Sequence, residues 1–147
     1  MKLNFDGASK GNPGPTGYGG VIHTDQGKVT HIYYGFMGYD TNNAVELEGL
    51  LQGLILASTV GRTKLIIEGD SHIIIHMLSK IMHGAPISRI NQNWRMEDRL
   101  HQLRQIVQNI LVLIPQHVLR SRNTLDDKLT NASIQVGPRP IIHTWED

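Results

Sequence analysis

The apolar periodicity of this chain first changes near residue 43, and that change restricts the fold more than any other feature. Before it, apolar residues alternate with polar or small ones. Leu3 and Phe5 mark a short first strand ending near Asp6, and 19–24 and 29–36 read as two more, joined at Asp25-Gln26-Gly27. After it, Leu47, Leu50, Leu51 and Leu54, continued by Ser58, recur at three-and-four spacing, so 43–60 is expected as a helix with one apolar face. Leu65-Ile66-Ile67 is then a buried strand stopping at Glu68-Gly69-Asp70. Ile73, Ile74, Met77 and Leu78 open a helix that Gly84 and Pro86 break. Leu100, Leu103, Ile106, Val107 and Ile110 mark another helix, 111–118 another strand, and a last helix is expected from Asn123 or Thr124.

The order is βββαβααβα. A strand before a long helix and a strand after it cannot form a hairpin, so a parallel pair through a right-handed crossover is expected. Open α/β sheets gather their sites at the carboxyl ends of such strands. Asp6 and Asp70 both follow strands of this kind, and they share one sheet edge if those strands are neighbours. The expected fold is therefore α/β: a mixed five-stranded sheet, antiparallel meander plus parallel strands, flanked by helices. Its 147 residues suit a single core. The tail from Gly137, with Pro138 and Pro140, reads as extended or disordered.

Composition removes several function classes. With 39% hydrophobic and 18% charged residues the chain reads as soluble and globular. No apolar run approaches the ~18 residues of a membrane helix, and no apolar stretch follows Lys2 as in a signal peptide. The absence of cysteine excludes a disulfide-linked partner, a thiolate metal site and a cysteine nucleophile. An intracellular protein of cytoplasm or nucleus, with no membrane partner, is expected, and metal ligands are limited to oxygen and imidazole. The net charge of +1 conceals a basic stretch: Lys80, Arg89, Arg95, Arg99, Arg104, Arg120 and Arg122 against Glu97 and Asp98. That stretch suits a polyanion, with a solvated helix face bearing ordinary salt bridges as the plainer reading of charge alone. Trp94, alone in it, has core packing as its simplest reading.

Gly7-Ala8-Ser9-Lys10-Gly11-Asn12-Pro13-Gly14-Pro15 is too rich in Gly and Pro for regular structure and is expected to be a loop able to approach a sugar–phosphate backbone closely. It lacks the Lys-Ser/Thr of a nucleotide-binding P-loop and no helix follows it. Gly17-Tyr18-Gly19-Gly20 is too short for a dinucleotide fingerprint.

Phosphodiester hydrolysis needs an activated water, a stabilised leaving oxygen and charge compensation at phosphorus, and two divalent ions supply all three. Magnesium asks for a few converging carboxylates and no thiols. The candidates are Asp6, Glu46, Asp70 and Asp127. Each has a structural alternative. Asp6-Gly7 could open a turn, and Glu46, three after Asn43, could close a capping box. Asp70-Ser71 could cap the following helix, and Asp127 could sit in a first helical turn where the dipole favours an acid.

Taken together, the motifs resemble a known family. Asp6 to Pro15 followed by Gly17-Tyr18-Gly19-Gly20-Val21 resembles the opening of ribonuclease H, in the short form found in plants and their non-LTR retrotransposon reverse transcriptases. Thr41-Asn42-Asn43 with Glu46-Leu47 is similar to its second motif, Asp70-Ser71 to its third, and His117-Val118-Leu119-Arg120, Asn123 and Asp127 to its fourth, in order and spacing over about residues 2 to 132. The resemblance implies a ribonuclease H-like domain at 1–132 and a tail at 133–147. It implies an endonuclease cutting the RNA strand of RNA–DNA hybrids with two Mg2+ ions (Mn2+ as substitute) held by Asp6, Glu46, Asp70 and Asp127. Ser9, Asn12, Asn42, Asn43 and His72 fall where the family contacts the hybrid, and His117 falls on a mobile histidine thought to help product leave or to shuttle a proton. Asparagine suits the contact, since one amide both donates to and accepts from a 2′-hydroxyl.

The fourth motif departs from the family pattern: Ser121 stands where Glu is usual, Asp126 where Ala is usual, and Lys128 follows Asp127. A second reading is therefore a catalytically weakened nucleic-acid-binding or tether domain of a retroelement. A third, a DNA nuclease or integrase with the same carboxylate cluster, is opposed by Thr41-Asn42-Asn43.

Overall fold

The computed structural model describes residues 1–61, 64–91, 93–110, 112–120 and 141–144. Strands β1 (Lys2–Ser9), β2 (Gly14–His23) and β3 (Val29–Asp40) form the meander. Helix α1 (Asn42–Thr59) crosses to β4 (Lys64–Gly69), which lies parallel to β1 with Lys2 opposite Ile66 and Asn4 opposite Glu68. Helices α2 (His72–Met82), α3 (Ile87–Ile90) and α4 (Trp94–Val107) lead to β5 (Val112–His117), parallel to β4. A last strand, β6 (Ile141–Thr144), pairs antiparallel with β3. The sheet order is β5-β4-β1-β2-β3-β6.

The five strands and their mixed directions are those expected from the sequence, and β6 adds a sixth. Its apolar Ile141-Ile142 finds an open backbone edge at His31–Tyr34, so this part of the tail is extended and paired. Helix α3, a single turn after Pro86, was also not anticipated. The helix expected from Asn123 or Thr124, and the boundary at 132, lie outside the described residues.

The segment from Gly7 to Pro15 is mostly strand. Gly7 pairs with Tyr18 and Ser9 with Thr16, leaving 10–13 as the connection, because the antiparallel ladder continues through glycines that pair as well as other residues do. Gly7 serves packing: a Cβ there would stand 2.7 Å from the Glu46 nitrogen and the Val45 carbonyl carbon. The turn at 24–28 is closed by Gly27 at φ +86°, with its N–H donating to Thr24 O at 2.9 Å.

Helix α1 is not amphipathic in the expected sense. Val45, Leu47, Leu50, Leu51, Leu54, Leu56 and Ala57 are all buried, since the helix lies between the sheet and α4. Tyr33, on β3, donates from its hydroxyl to the Gly49 carbonyl at 2.6 Å, joining sheet to helix. On the far side, Arg99 of α4 donates from Nε to Glu48 of α1 at 2.7 Å.

Candidate metal centre

Asp6 sits within β1 and is 1% exposed. Its Oδ1 accepts from the Gly7 N–H at 2.8 Å. Because β1 and β4 are parallel neighbours, Asp70, which directly follows β4, arrives at the same sheet edge. Glu46 comes to them from the second turn of α1, which Gly7 allows to lie against β1.

The structural alternatives for three acids fall away locally. Helix α1 is capped by Thr41, whose hydroxyl accepts from the Ala44 N–H at 3.2 Å, so Glu46 lies beyond the capping-box position. Helix α2 is capped by the Ser71 hydroxyl, accepting from Ile74 at 3.3 Å, and Asp70 is not the cap. Nor does Asp6 open a turn, since it pairs with Gly19 inside the ladder.

One carboxylate oxygen from each of Asp6, Glu46 and Asp70 lies within 4.8 Å of the other two. The oxygens Asp6 Oδ2, Glu46 Oε2 and Asp70 Oδ2 are buried and accept no hydrogen bond. Two unit charges at ~4 Å repel by roughly 4 kcal/mol at an effective dielectric of 20. Hard oxygens from two half-buried acids and one buried acid suit a divalent cation such as magnesium, which keeps part of its water shell. Asp127, expected as a fourth ligand, lies outside the described residues.

The residues expected at the nucleic acid fall into two groups. Asn12 is exposed and its Oδ1 accepts from the Asn42 N–H at 3.1 Å, so the 10–13 connection is tied to the start of α1 beside exposed Asn43. Ser9, half-buried, donates from its hydroxyl to the Gly11 carbonyl. His72 lies elsewhere, on α2. Its ring stacks on that of His117, centroids 3.7 Å apart and planes at 15°. His117 is the last residue of β5, and its Nε2 lies 3.1 Å from the Asp70 carbonyl oxygen. The imidazole that the resemblance makes mobile is thus held on its face and at its edge.

The basic stretch is less uniform than its charge suggests. Arg99 is bound to Glu48, and Arg104 donates to the Ala85 carbonyl. Arg89 and Arg120 are exposed, while the side chain of Arg95 and all of Arg122 are outside the described residues. Trp94 does not pack in the core: at the first position of α4 it is 74% exposed.

Sequence reasoning missed Gly49. A Cβ there would stand 2.5 Å from the Asp6 carbonyl oxygen, so this glycine fixes how closely α1 approaches the strand that carries the first carboxylate. The signal was present. Gly49 and Gly53 lie four apart inside one helix, where each costs about 1 kcal/mol relative to alanine, and such a cost implies a packing reason.

Comparison with known proteins agrees with this architecture. Residues 4–133 match the family model described as "Reverse transcriptase-like". A bifunctional protein of Mycobacterium tuberculosis is 32% identical over 133 residues, 88% of this chain, and the chain spans about a third (34%) of that relative's length. A ribonuclease H of a Cyanothece species is 30% identical over 112 residues, covering 68% of this chain and 69% of the relative. Among solved structures, LC11-RNase H1 in complex with RNA/DNA hybrid superposes with a TM-score of 0.78 at 25% identity, covering 91% of this chain and 96% of that one. Sheet order, carboxylate positions and these relatives converge: the chain belongs to the ribonuclease H family, in the group described as reverse transcriptase-like.

Proposed function

We propose that this chain is an endonuclease that hydrolyses the RNA strand of RNA–DNA hybrids. One observation carries the reading: Asp6, Glu46 and Asp70, from three separate elements, offer carboxylate oxygens within 4.8 Å of one another on a family fold. Asp6, Glu46 and Asp70, with Asp127 as fourth ligand, would hold two Mg2+ ions, Mn2+ serving as substitute. Bound there, such ions supply an activated water and charge compensation at phosphorus. Asn12, Asn42 and Asn43 present amides that donate to and accept from the 2′-hydroxyls of the RNA strand. Ser9 supports the same connection, and His117 stands beside Asp70 where it can take or give a proton. That a relative is solved with an RNA/DNA hybrid supports the substrate class.

We read the chain as intracellular and, from its first motif and the reverse transcriptase-like family match, as allied to the plant and retrotransposon forms. The test is incubation of the protein with end-labelled hybrid, with and without magnesium, beside Asp70→Asn. Magnesium-dependent cutting of the RNA strand, lost in the variant, is expected. Tight hybrid binding without cutting by the unaltered chain would instead establish the weakened, tethering reading, which Ser121, Asp126 and Lys128 favour.

A further inference from the structure

The resemblance assigns His72 to the hybrid, but its ring is committed to another part of the protein. Resting on the nuclease reading above, we infer that His72 is a positioning residue that fixes the ring of His117 beside the carboxylates. The two imidazoles lie 3.7 Å apart, nearly parallel at 15°. Their backbones are both anchored. His72 opens α2 one residue after the Ser71 cap and two before fully buried Ile74. His117 pairs with Gly69 across the parallel ladder, and the next residue, Val118, donates to the Gly69 carbonyl at 3.0 Å. The stack therefore joins two fixed points on either side of Asp70.

Its effect is orientation. A carbonyl oxygen only accepts, so the 3.1 Å contact from His117 Nε2 to the Asp70 oxygen puts the proton on Nε2. In the neutral ring the lone pair then belongs to Nδ1, and the tautomer is chosen. One hydrogen bond leaves the ring free to tilt about it. A flat partner pressed on its face removes that freedom. Any flat ring at 72 would serve, whereas a hybrid contact would need the imidazole's own donors.

The experiment compares His72→Ala and His72→Phe with the unaltered chain, in hybrid cleavage and in the imidazole proton spectrum of the metal-free protein. The His117 signals are identified by their absence in His117→Gln. Alanine is expected to lower kcat by about 2- to 10-fold, the range an aromatic pair provides, with KM unchanged, and phenylalanine to restore it. In the spectrum, alanine should move the His117 ring signals to lower shielding, and phenylalanine should keep them shielded. His117 signals unmoved by alanine overturn the inference. So does a raised KM with kcat kept, which would return His72 to the hybrid. If the unaltered chain fails to cut, the nuclease reading falls by itself, and the ring signals alone decide whether His72 fixes His117.

Discussion

Gly49 lies against the backbone of Asp6, so closely that a Cβ at 49 would stand 2.5 Å from the Asp6 carbonyl oxygen. Alanine is the better helix former by about 1 kcal/mol, and in an open helix Gly49→Ala would stabilise. Here it should destabilise by roughly 1–3 kcal/mol, as overpacking of a tight contact does. It should also weaken magnesium-dependent cleavage, because α1 carries Glu46. Thermal unfolding and a magnesium titration of activity check both, and a variant that melts higher than the parent would refute the contact.

Asp70→Asn keeps the shape of the side chain and removes one charge from a repelling group. Cleavage should disappear. In metal-free buffer the melting temperature should stay level or rise, since one of the mutually repelling charges is gone. A variant that still cuts hybrid near the parental rate removes Asp70 from the site.

For His117→Ala the expected loss is smaller, something like 10²-fold in kcat, the low end for losing general acid–base help. Hybrid binding should barely change, and magnesium-dependent cutting should survive at the reduced rate, unlike in Asp6 or Glu46 variants. Unchanged turnover in the variant would leave His117 as nothing more than the end of β5.

Substrate choice gives a fourth prediction. Hybrid should be cut and duplex DNA spared, because the amides of Asn12, Asn42 and Asn43 would read 2′-hydroxyls. Affinity should fall steeply with salt, as phosphate contacts dictate. Equal cutting of both duplexes would assign the carboxylates to a DNA nuclease.

Tyr18 makes the last. Burial first, and the charge of Glu48 second, push its hydroxyl up to about 12 from an ordinary 10.0. Between those values the unfolded chain loses a proton that the folded one keeps, so stability is fully present below pH ~10 and falls as pH rises towards ~12, by on the order of 2–3 kcal/mol. Denaturant melts across that window should show the decline, and Tyr18→Phe should flatten it. A Tyr18→Phe protein with the parent's slope would assign the decline to other groups.

Much of this was legible in the chain because the two periods are physically exclusive: Leu3 and Phe5 cannot serve a helix, nor Leu47, Leu50 and Leu54 a strand. Parallel pairing of β1 and β4 followed from the length of the connection, and with it the meeting of Asp6 and Asp70. Composition misled at Gly7–Pro15. Glycine was read as a breaker, while at Gly7 it admits the backbone of α1. Trp94 was misjudged because a single exposed aromatic has no period to betray it. The His72–His117 stack was invisible, since nothing in the sequence ties residue 72 to residue 117 until β5 is set beside β4.

The outer face of the meander carries one more lesson. A strand of twelve residues such as β3, left bare, is a template on which another copy could pair. A third of it, His31 to Tyr34, is occupied by β6, which itself exposes only four residues as the new rim. Towards its far end β3 is spoiled as a template: its ladder to β2 slips between Thr16 and Gly17, opposite Gly38 and Phe36, and Gly38 turns at φ +95°. Removing Ile141–Thr144 would therefore threaten solubility before it touched the carboxylates, and a shortened chain should fail first by self-association.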